Sequence, residues 1–531
     1  MEDRMNRSVC LFPMLAALAL APAWADTVDA RFPRQPRHPD NVFTRMFPEL
    51  PAFAAQNDRM RNAAALLGAK DGPLDARDNL TDAIQSIVNQ PVFSPDNRDN
   101  TAMTAGVTFF GQFLDHDITF DRRSALTGNA DPARTRNFRT AAFDLDSVYG
   151  EGPERSAELY DTRNGDYRMR VDPIPGSPEV SRKGAMRFDL PRDSNGEALV
   201  GDSRNDENVI LSQLHVAMLK FHNAVVDQLR AQARWQGASP RQVFEEARRI
   251  VTWHYQWCIV HEFLPLTIGQ RRVDQLLRER PGQYRADARR NSGGNPLLPI
   301  EFSVAAYRFG HSQIRPSYRL NFGPDNGTPF FAFVFDDALD PNGTDPGDLR
   351  GGRRAARRFV DWQTFFDFGD GNARPNKLID TKLSTPLMHL PGSLAPSPGL
   401  PADGMQSLAS RNLVRHVNFG LPSGQAIAQR LRVPALTPAQ LAELKPFGMA
   451  ESTPLWYYIL KEAEVMEGGA RLGPVGGRIV GEVFFELLRA DRDSYLSENP
   501  RWKPHLPSAG GPGVFRVADL LKFAGVVPPL Q

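Results

Sequence analysis

Residues 205–232, "NDENVILSQLHVAMLKFHNAVVDQLRAQ", carry apolar side chains at helical spacing over almost their whole length. A helix so apolar must be covered on most of its surface, which demands a large core around it. The same period marks 101–118, 241–264 and 469–491, whereas strand signals are few and short. Long Gly-, Pro- and Asp-rich connections, notably 322–352, separate these regions. Length alone would allow roughly three or four domains, but no internal period or low-complexity tract divides the chain. The expected fold class is mainly α: one large domain with few short strands and long loops.

The first 25 residues differ in kind. Arg4 and Arg7 precede "VCLFPMLAALALAPAWA", which ends in Ala23-Trp24-Ala25. A basic start, an apolar middle and an A-x-A end predict a secretory signal cleaved after Ala25. The stretch is short for a bilayer span, and no later segment is read as able to cross one. The expected division is a signal at 1–25, a Pro-rich irregular arm at 26–60 and a domain at 61–531, exported to the periplasm or beyond. Cys10 lies in the signal, so Cys258 stands alone afterwards and an internal disulfide is excluded. Within apolar "WHYQWCIVHEF" it reads as a packing residue. With 63 basic and 62 acidic side chains, no long-range field recruits nucleic acid or an anionic membrane.

His215 and His222 are seven residues apart, as are His254 and His261. Each pair lies on one helical face two turns apart, while helical metal ligands sit at i and i+3 or i+4. "HEFLP" at 261–265 lacks the second His of H-E-x-x-H, so a zinc hydrolase is excluded and these imidazoles read as structural. "RGGRRAARRF", 350–359, would line up Arg350, Arg353, Arg354, Arg357 and Arg358 on one helical face, expected to be solvated.

"TFFGQFLDHDITFD", 108–121, sets Gln112, Asp115, His116 and Asp117 among Phe, Leu and Ile, and polar groups so placed need partners or a task. With 106–118 helical, Gln112 and His116 stack on one face with Asp115 beside them, and Asp117 points about 200° away from Asp115. A general acid–base His beside an amide suits peroxide chemistry, in which a proton moves between two oxygens of one molecule.

"GQFLDHD" followed by "RFGHS" resembles the animal-type haem peroxidases (the myeloperoxidase, lactoperoxidase and peroxinectin superfamily), particularly its bacterial members. The resemblance runs from "NVFTRMFPELPAF" near 41 to "VADLLKFAGV" near 517–526, with several motifs in the family's order. It implies a helical haem peroxidase fold, haem b and Ca²⁺ as cofactors, and reduction of hydrogen peroxide through a ferryl intermediate. Small organic donors, halides or thiocyanate would be oxidised. His116 is then similar to the distal histidine, Gln112 to the amide bordering the halide site and Arg204 of "VGDSRNDEN" to the distal guanidinium. Asp115 and Glu207 resemble the carboxylates that esterify haem; Asn208 falls where myeloperoxidase has the Met of a sulfonium link, so that third bond is not expected. His311 resembles the proximal iron ligand, Asn412 the amide accepting its other ring N–H, and Arg308 and Arg415 the cations that pair with the propionates. Asp117 resembles a calcium ligand, completed by Thr140, Ala142, Asp144 and Asp146 of "TAAFDLDSVYG". Their alternation would turn all four to one side of an extended loop, giving the oxygen-rich set that Ca²⁺ prefers.

Two alternatives differ in class. Fatty-acid dioxygenases of the same superfamily carry a radical-forming Tyr three residues before the proximal His; here that place is Arg308, with Tyr307 one residue off. A non-enzymatic haem-binding adhesion or matrix protein is the other, and no Arg-Gly-Asp or appended module supports it.

Overall fold

The computed structural model describes residues 41–527, apart from 89, 122–125, 127, 162–164, 166, 280–281, 285–289, 292–293, 337–342, 353 and 392–405. The expected signal and residues 26–40 of the expected arm lie outside the described residues, as does Arg353.

The Val209–Arg230 helix starts where Asn208 Oδ1 accepts from the Leu211 N–H at 2.9 Å, satisfying an otherwise orphaned donor. It packs against Ala105–Ile118 on one side and Pro240–Cys258 on another. Against the expectation that no later segment could cross a membrane, among the described residues this helix is long and apolar enough to do so, and 83% of its most apolar window is buried within the protein. Ser239 and Gln242 form a capping box at the head of Pro240–Cys258. That helix continues through a π turn, Ile259–Phe263, into Leu264–Ile268, where Pro265 supplies no N–H to the ladder.

These helices, with Asp58–Leu67, Leu408–Asn418, Leu455–Glu467 and Pro474–Ala490, enclose one continuous hydrophobic core. Phe43, Met46, Phe47 and Phe53, upstream of the first helix, are buried in it too. Among the described residues the strands are short and antiparallel, in four two-stranded sheets. The expected mainly helical domain with long loops is what the chain forms.

Boundaries differ where distant partners intervene. The helix expected from 101 begins at Ala105, because Asp99–Thr104 pairs as a strand with Pro375–Lys377. The helix expected from 469 begins at Pro474, after Gly468 and Gly469 adopt left-handed φ of 59° and 77°. Residues 350–352 and 354–359 are not helical and do not form a solvated face. Arg350 pairs with Asp348 at 2.9 Å, Arg354 with Asp172 and Asp189 at 3.1 Å, and buried Arg358 donates to Pro346 O and Asp348 O at 2.8 and 3.0 Å. These arginines staple loops. Gly351 N donates to Glu207 O at 2.8 Å, and a Cβ there would collide with Asp206 O.

Candidate functional site

A cavity of about 370 Å³ opens between the Ala105–Ile118 helix, the Ser203–Asp206 turn, the Ala306–Gln313 3₁₀ segment and the Leu408–Asn418 helix. Gln112, Asp115, His116, Arg204, Glu207, Arg308, His311 and Arg415 all line it, drawn from four separate stretches of sequence. Asn412 stands behind, with its amide 2.8 Å from His311 Nδ1.

On the wall built by Ala105–Ile118, His116 Nδ1 lies 2.9 Å from Asn205 Oδ1, leaving Nε2 to serve the cavity. Burial disfavours the charged imidazole and Arg204 adds to the effect, holding His116 down at about 3. It is neutral at any physiological pH. Arg204 donates to Thr119 O at 2.5 Å and to Asp202 at 2.7 Å, stacks over the Phe120 ring at 4.4 Å and lies 4.0 Å from Asp115. The guanidinium is thereby fixed beside His116. Gln112 donates to Glu207 Oε1. Burial lifts Glu207 to about 7 against the opposing pull of Arg204, and it raises Asp115 against Arg204 and Arg308.

His311 sits on the other chain segment. Burial, reinforced by Arg308 and Arg415, holds it at about 3. Asn412 turns its amide nitrogen to His311 Nδ1 and its oxygen to Arg308, 3.5 Å away. That reverses the expected orientation, in which the amide accepts from the ring. Metal ligation through Nε2 would put the proton on Nδ1 and require a half-turn of this amide. Burial lowers both Arg308 and Arg415, the latter to about 9, and Arg415 Nε is buried without a partner. Two partly desolvated cations and an orphaned guanidine N–H at one edge suit an anionic guest. A neutral imidazole on each wall suits an iron porphyrin. The residues fit haem.

Asp117 leaves the cavity, as the helical geometry requires. Its carboxylate, with those of Asp144 and Asp146, forms a cluster whose oxygens lie within 4.8 Å of one another. Asp117 accepts from Leu145 N, Ser147 Oγ and Tyr255 OH at 3.1, 3.1 and 3.2 Å. Burial, then Asp144 and Asp146, push its pKa well up. The 140–146 segment is not extended as expected. It bends, Leu145 takes a left-handed φ of 58°, and Asp146 opens a helical turn, Asp146–Tyr149. Thr140 N donates to Asp146 at 3.3 Å, and Ala142 is buried in the same bend. Asp146 also pairs with Arg139 at 3.1 Å. Hard oxygen donors in this number fit Ca²⁺.

Sequence reasoning missed several residues that hold the site. Asp202, fully buried, bridges Arg204 to Arg139 at 2.7 and 3.1 Å; its place two residues before Arg204 was the available signal. Asn205 links His116 to His215, 3.0 Å from the amide nitrogen. Arg411 and Tyr307 also line the cavity. The remaining paired histidines are structural: His222 meets Tyr149 OH at 3.1 Å, His254 meets Ile250 O at 2.7 Å, and His261 stacks on Trp257 at 3.7 Å. Cys258 is free and buried.

Similarity to known proteins is found both in sequence and in fold. A family model described as animal haem peroxidase matches residues 119–333, which include Arg204, Glu207 and His311. The "Peroxidase-like protein" of Margaritifera margaritifera is 25% identical over 481 residues, 78% of this chain and 58% of that protein. Thyroid peroxidase of Homo sapiens is 29% identical over 214 residues, 37% of this chain and 22% of that protein. The chain thus spans less than two thirds of these relatives. Peroxidase A of Dictyostelium discoideum superposes with a TM-score of 0.55 at 18% identity, covering 94% of this chain and 97% of that one. A fatty acid alpha-dioxygenase of Oryza sativa gives 0.51 at 16% identity, over 83% and 74%. Both structural likenesses are of fold. Relatives from animals and an amoeba overturn the expected placement among bacterial members.

Proposed function

We propose that this chain, similar over residues 119–333 to the animal haem peroxidase family model, is an exported haem peroxidase that reduces hydrogen peroxide and oxidises small organic donors, halides or thiocyanate. The observation that carries the reading is the meeting of His116 and His311 across one cavity, each kept neutral by burial and each held at Nδ1 by an asparagine amide.

Haem, when bound, would supply the iron at which the peroxide O–O bond breaks and the oxidising equivalents passed to donors. His311 would hold it, Arg308 and Arg415 would pair with its propionates, and Asp115 and Glu207 would form its esters. His116 Nε2 takes the proton from one peroxide oxygen and returns it to the departing one, which leaves as water. Arg204, fixed by Asp202 and Thr119 O, stabilises negative charge on that leaving oxygen. Gln112 orients water or a halide beside His116. Asp117, Thr140, Ala142, Asp144 and Asp146 would hold Ca²⁺ and tie the helix bearing His116 to the 140–147 loop. The signal at 1–25 would be removed on export, leaving the arm from 26 and the domain from 61.

Titration of the purified chain with hemin, followed by stopped-flow mixing with peroxide, tests this. A Soret band that shifts on one equivalent of peroxide is expected. His116→Ala should keep haem and slow the peroxide step by at least a hundredfold, within the usual range for acid–base catalysis; His311→Ala should lose haem. A chain that takes up no hemin refutes the proposal.

Tyr307 favours a second reading. Its hydroxyl donates to Gly111 O at 3.0 Å and its ring lines the cavity. A phenol so placed suits fatty-acid oxygenation by way of a tyrosyl radical. Robust oxygen uptake with linoleate, abolished in Tyr307→Phe, would establish it in place of the first.

A further inference from the structure

Asn205 lies wholly buried on the Ser203–Asp206 turn, between the rings of two buried histidines. Its Oδ1 is 2.9 Å from His116 Nδ1, and its Nδ2 is 3.0 Å from His215 Nδ1. An asparagine amide has one accepting end and one donating end, and a neutral imidazole has one nitrogen of each kind. The three side chains therefore cannot be set independently. Where His215 Nδ1 accepts, the amide nitrogen must face it and the oxygen must face His116. His116 then carries its proton on Nδ1, and Nε2 is the bare base. Were the proton of His215 on Nδ1 instead, the amide would turn over. His116 Nδ1 would accept, its proton would move to Nε2, and the base would be blocked.

From this chain of contacts we infer that Asn205 is a positioning residue which selects the catalytically competent tautomer of His116, and that His215 acts through Asn205 by fixing the direction of its amide. The inference rests on His116 being the proton-accepting group of the cavity. His215 is suited to the part: it is buried on the Val209–Arg230 helix, its ring sits edge-on to Phe113 at 6.3 Å, and burial keeps it neutral at about 3. Neither Asn205 nor His215 lines the cavity, so neither touches a substrate directly.

The test uses the hemin-loaded full chain and two readouts: the second-order rate constant with peroxide, and the dissociation constant for cyanide. Hydrogen cyanide must give its proton to the same bare nitrogen as it binds, so its affinity reports the tautomer without turnover. Asn205→Leu, which keeps the volume and removes both ends of the amide, should weaken both by about tenfold, the equivalent of one lost hydrogen bond. Asn205→Ala gives the same reading should the leucine variant fold poorly. Asn205→Asp keeps an acceptor for His116 and should return both values to within about threefold of the parent. His215→Ala should match Asn205→Leu, and the double variant should be no worse than either single one, since two residues acting through one contact do not add. Additive losses, or unchanged cyanide affinity in Asn205→Leu, would overturn the inference while leaving the peroxidase reading intact. A parent protein that binds hemin but reacts with neither ligand overturns both.

Discussion

Asp202→Asn is an isosteric change with a calculable cost. The carboxylate is fully buried and accepts from the Arg204 backbone N–H at 2.9 Å, from Arg204 Nε at 3.1 Å and from Arg204 Nη2 at 2.7 Å. Arg139 Nε lies 3.1 Å away. An amide keeps the shape but leaves two guanidiniums facing a neutral group. Arg139 then keeps its ion pair with Asp146 at 3.1 Å, and Arg204 its longer one with Asp115 at 4.0 Å. Removing one partner from a buried ion pair costs about 3–5 kcal/mol. Unfolding entropy of about 2.1 cal/mol/K per residue amounts to about 1 kcal/mol/K over some 500 residues, so Tm should fall by about 3–5 °C. The pH dependence has a definite sign. Burial opposes ionisation of Asp202, but Arg204 and Arg139 outweigh it and hold the group well below the usual carboxylate range. Its contribution is therefore complete above the unfolded value of about 3.9 and is lost as pH falls through the folded one. Calorimetric scans at one heating rate should give a constant gap between parent and variant from about pH 5 to 8, closing below about pH 4. A gap under about 1 °C at neutral pH, or one that widens in acid, would refute the reasoning.

Three further outcomes are expected. Chelation of the cation held by the Asp117 cluster should lower Tm by about 4 °C where the ion had been present at about a thousand times its Kd, and Asp117→Ala should be insensitive to chelator; equal responses in parent and variant count against the site. Asp115→Val together with Glu207→Gln should release haem fully into acid–acetone after peroxide treatment, and full release from the parent would remove the ester assignment. Gly351→Ala should cost more than about 2 kcal/mol and weaken haem retention, because the added carbon meets Asp206 O on the turn that carries Arg204 and Glu207; a denaturation midpoint equal to the parent's would contradict that packing.

The separation of Asp115 from Asp117 was legible because it follows from the turn of a helix whose apolar neighbours announce it. So was the bundle itself, since the long apolar stretches need one another for cover. The start of the same helix was not legible: Asp99–Thr104 becomes strand through pairing with Pro375–Lys377, far along the chain. The 140–146 bend was misread for a related reason. Alternating residues predict an extended face only where nothing turns the backbone, and here Leu145 enters the left-handed region. The arginine run 350–359 followed helical spacing in the sequence, yet Asp348 claims Arg350, Asp172 and Asp189 share Arg354, and Asp345 holds Arg357. Asn205 escaped because a buried amide is recognised by the two rings it joins, and those come from different helices.

Charge in the cavity follows from how unevenly burial acts on its lining. Arg204, Arg308, Arg411 and Arg415 face Asp115, Asp121 and Glu207. Burial reduces the ionisation of Glu207, brought to about 7, and raises Asp115, whereas Arg415, even at about 9, stays protonated in neutral solution. The same burial that disfavours the charge on Glu207 and Asp115 and keeps both imidazoles neutral therefore leaves the Arg415 guanidinium charged, and the cavity tilts towards positive. Both amides behind the imidazoles preserve that balance. A carboxylate in place of Asn412 would add a negative charge beside His311. An electropositive, amide-backed cavity favours guests that arrive or leave as anions, which haem propionates, halides and a departing peroxide oxygen all are.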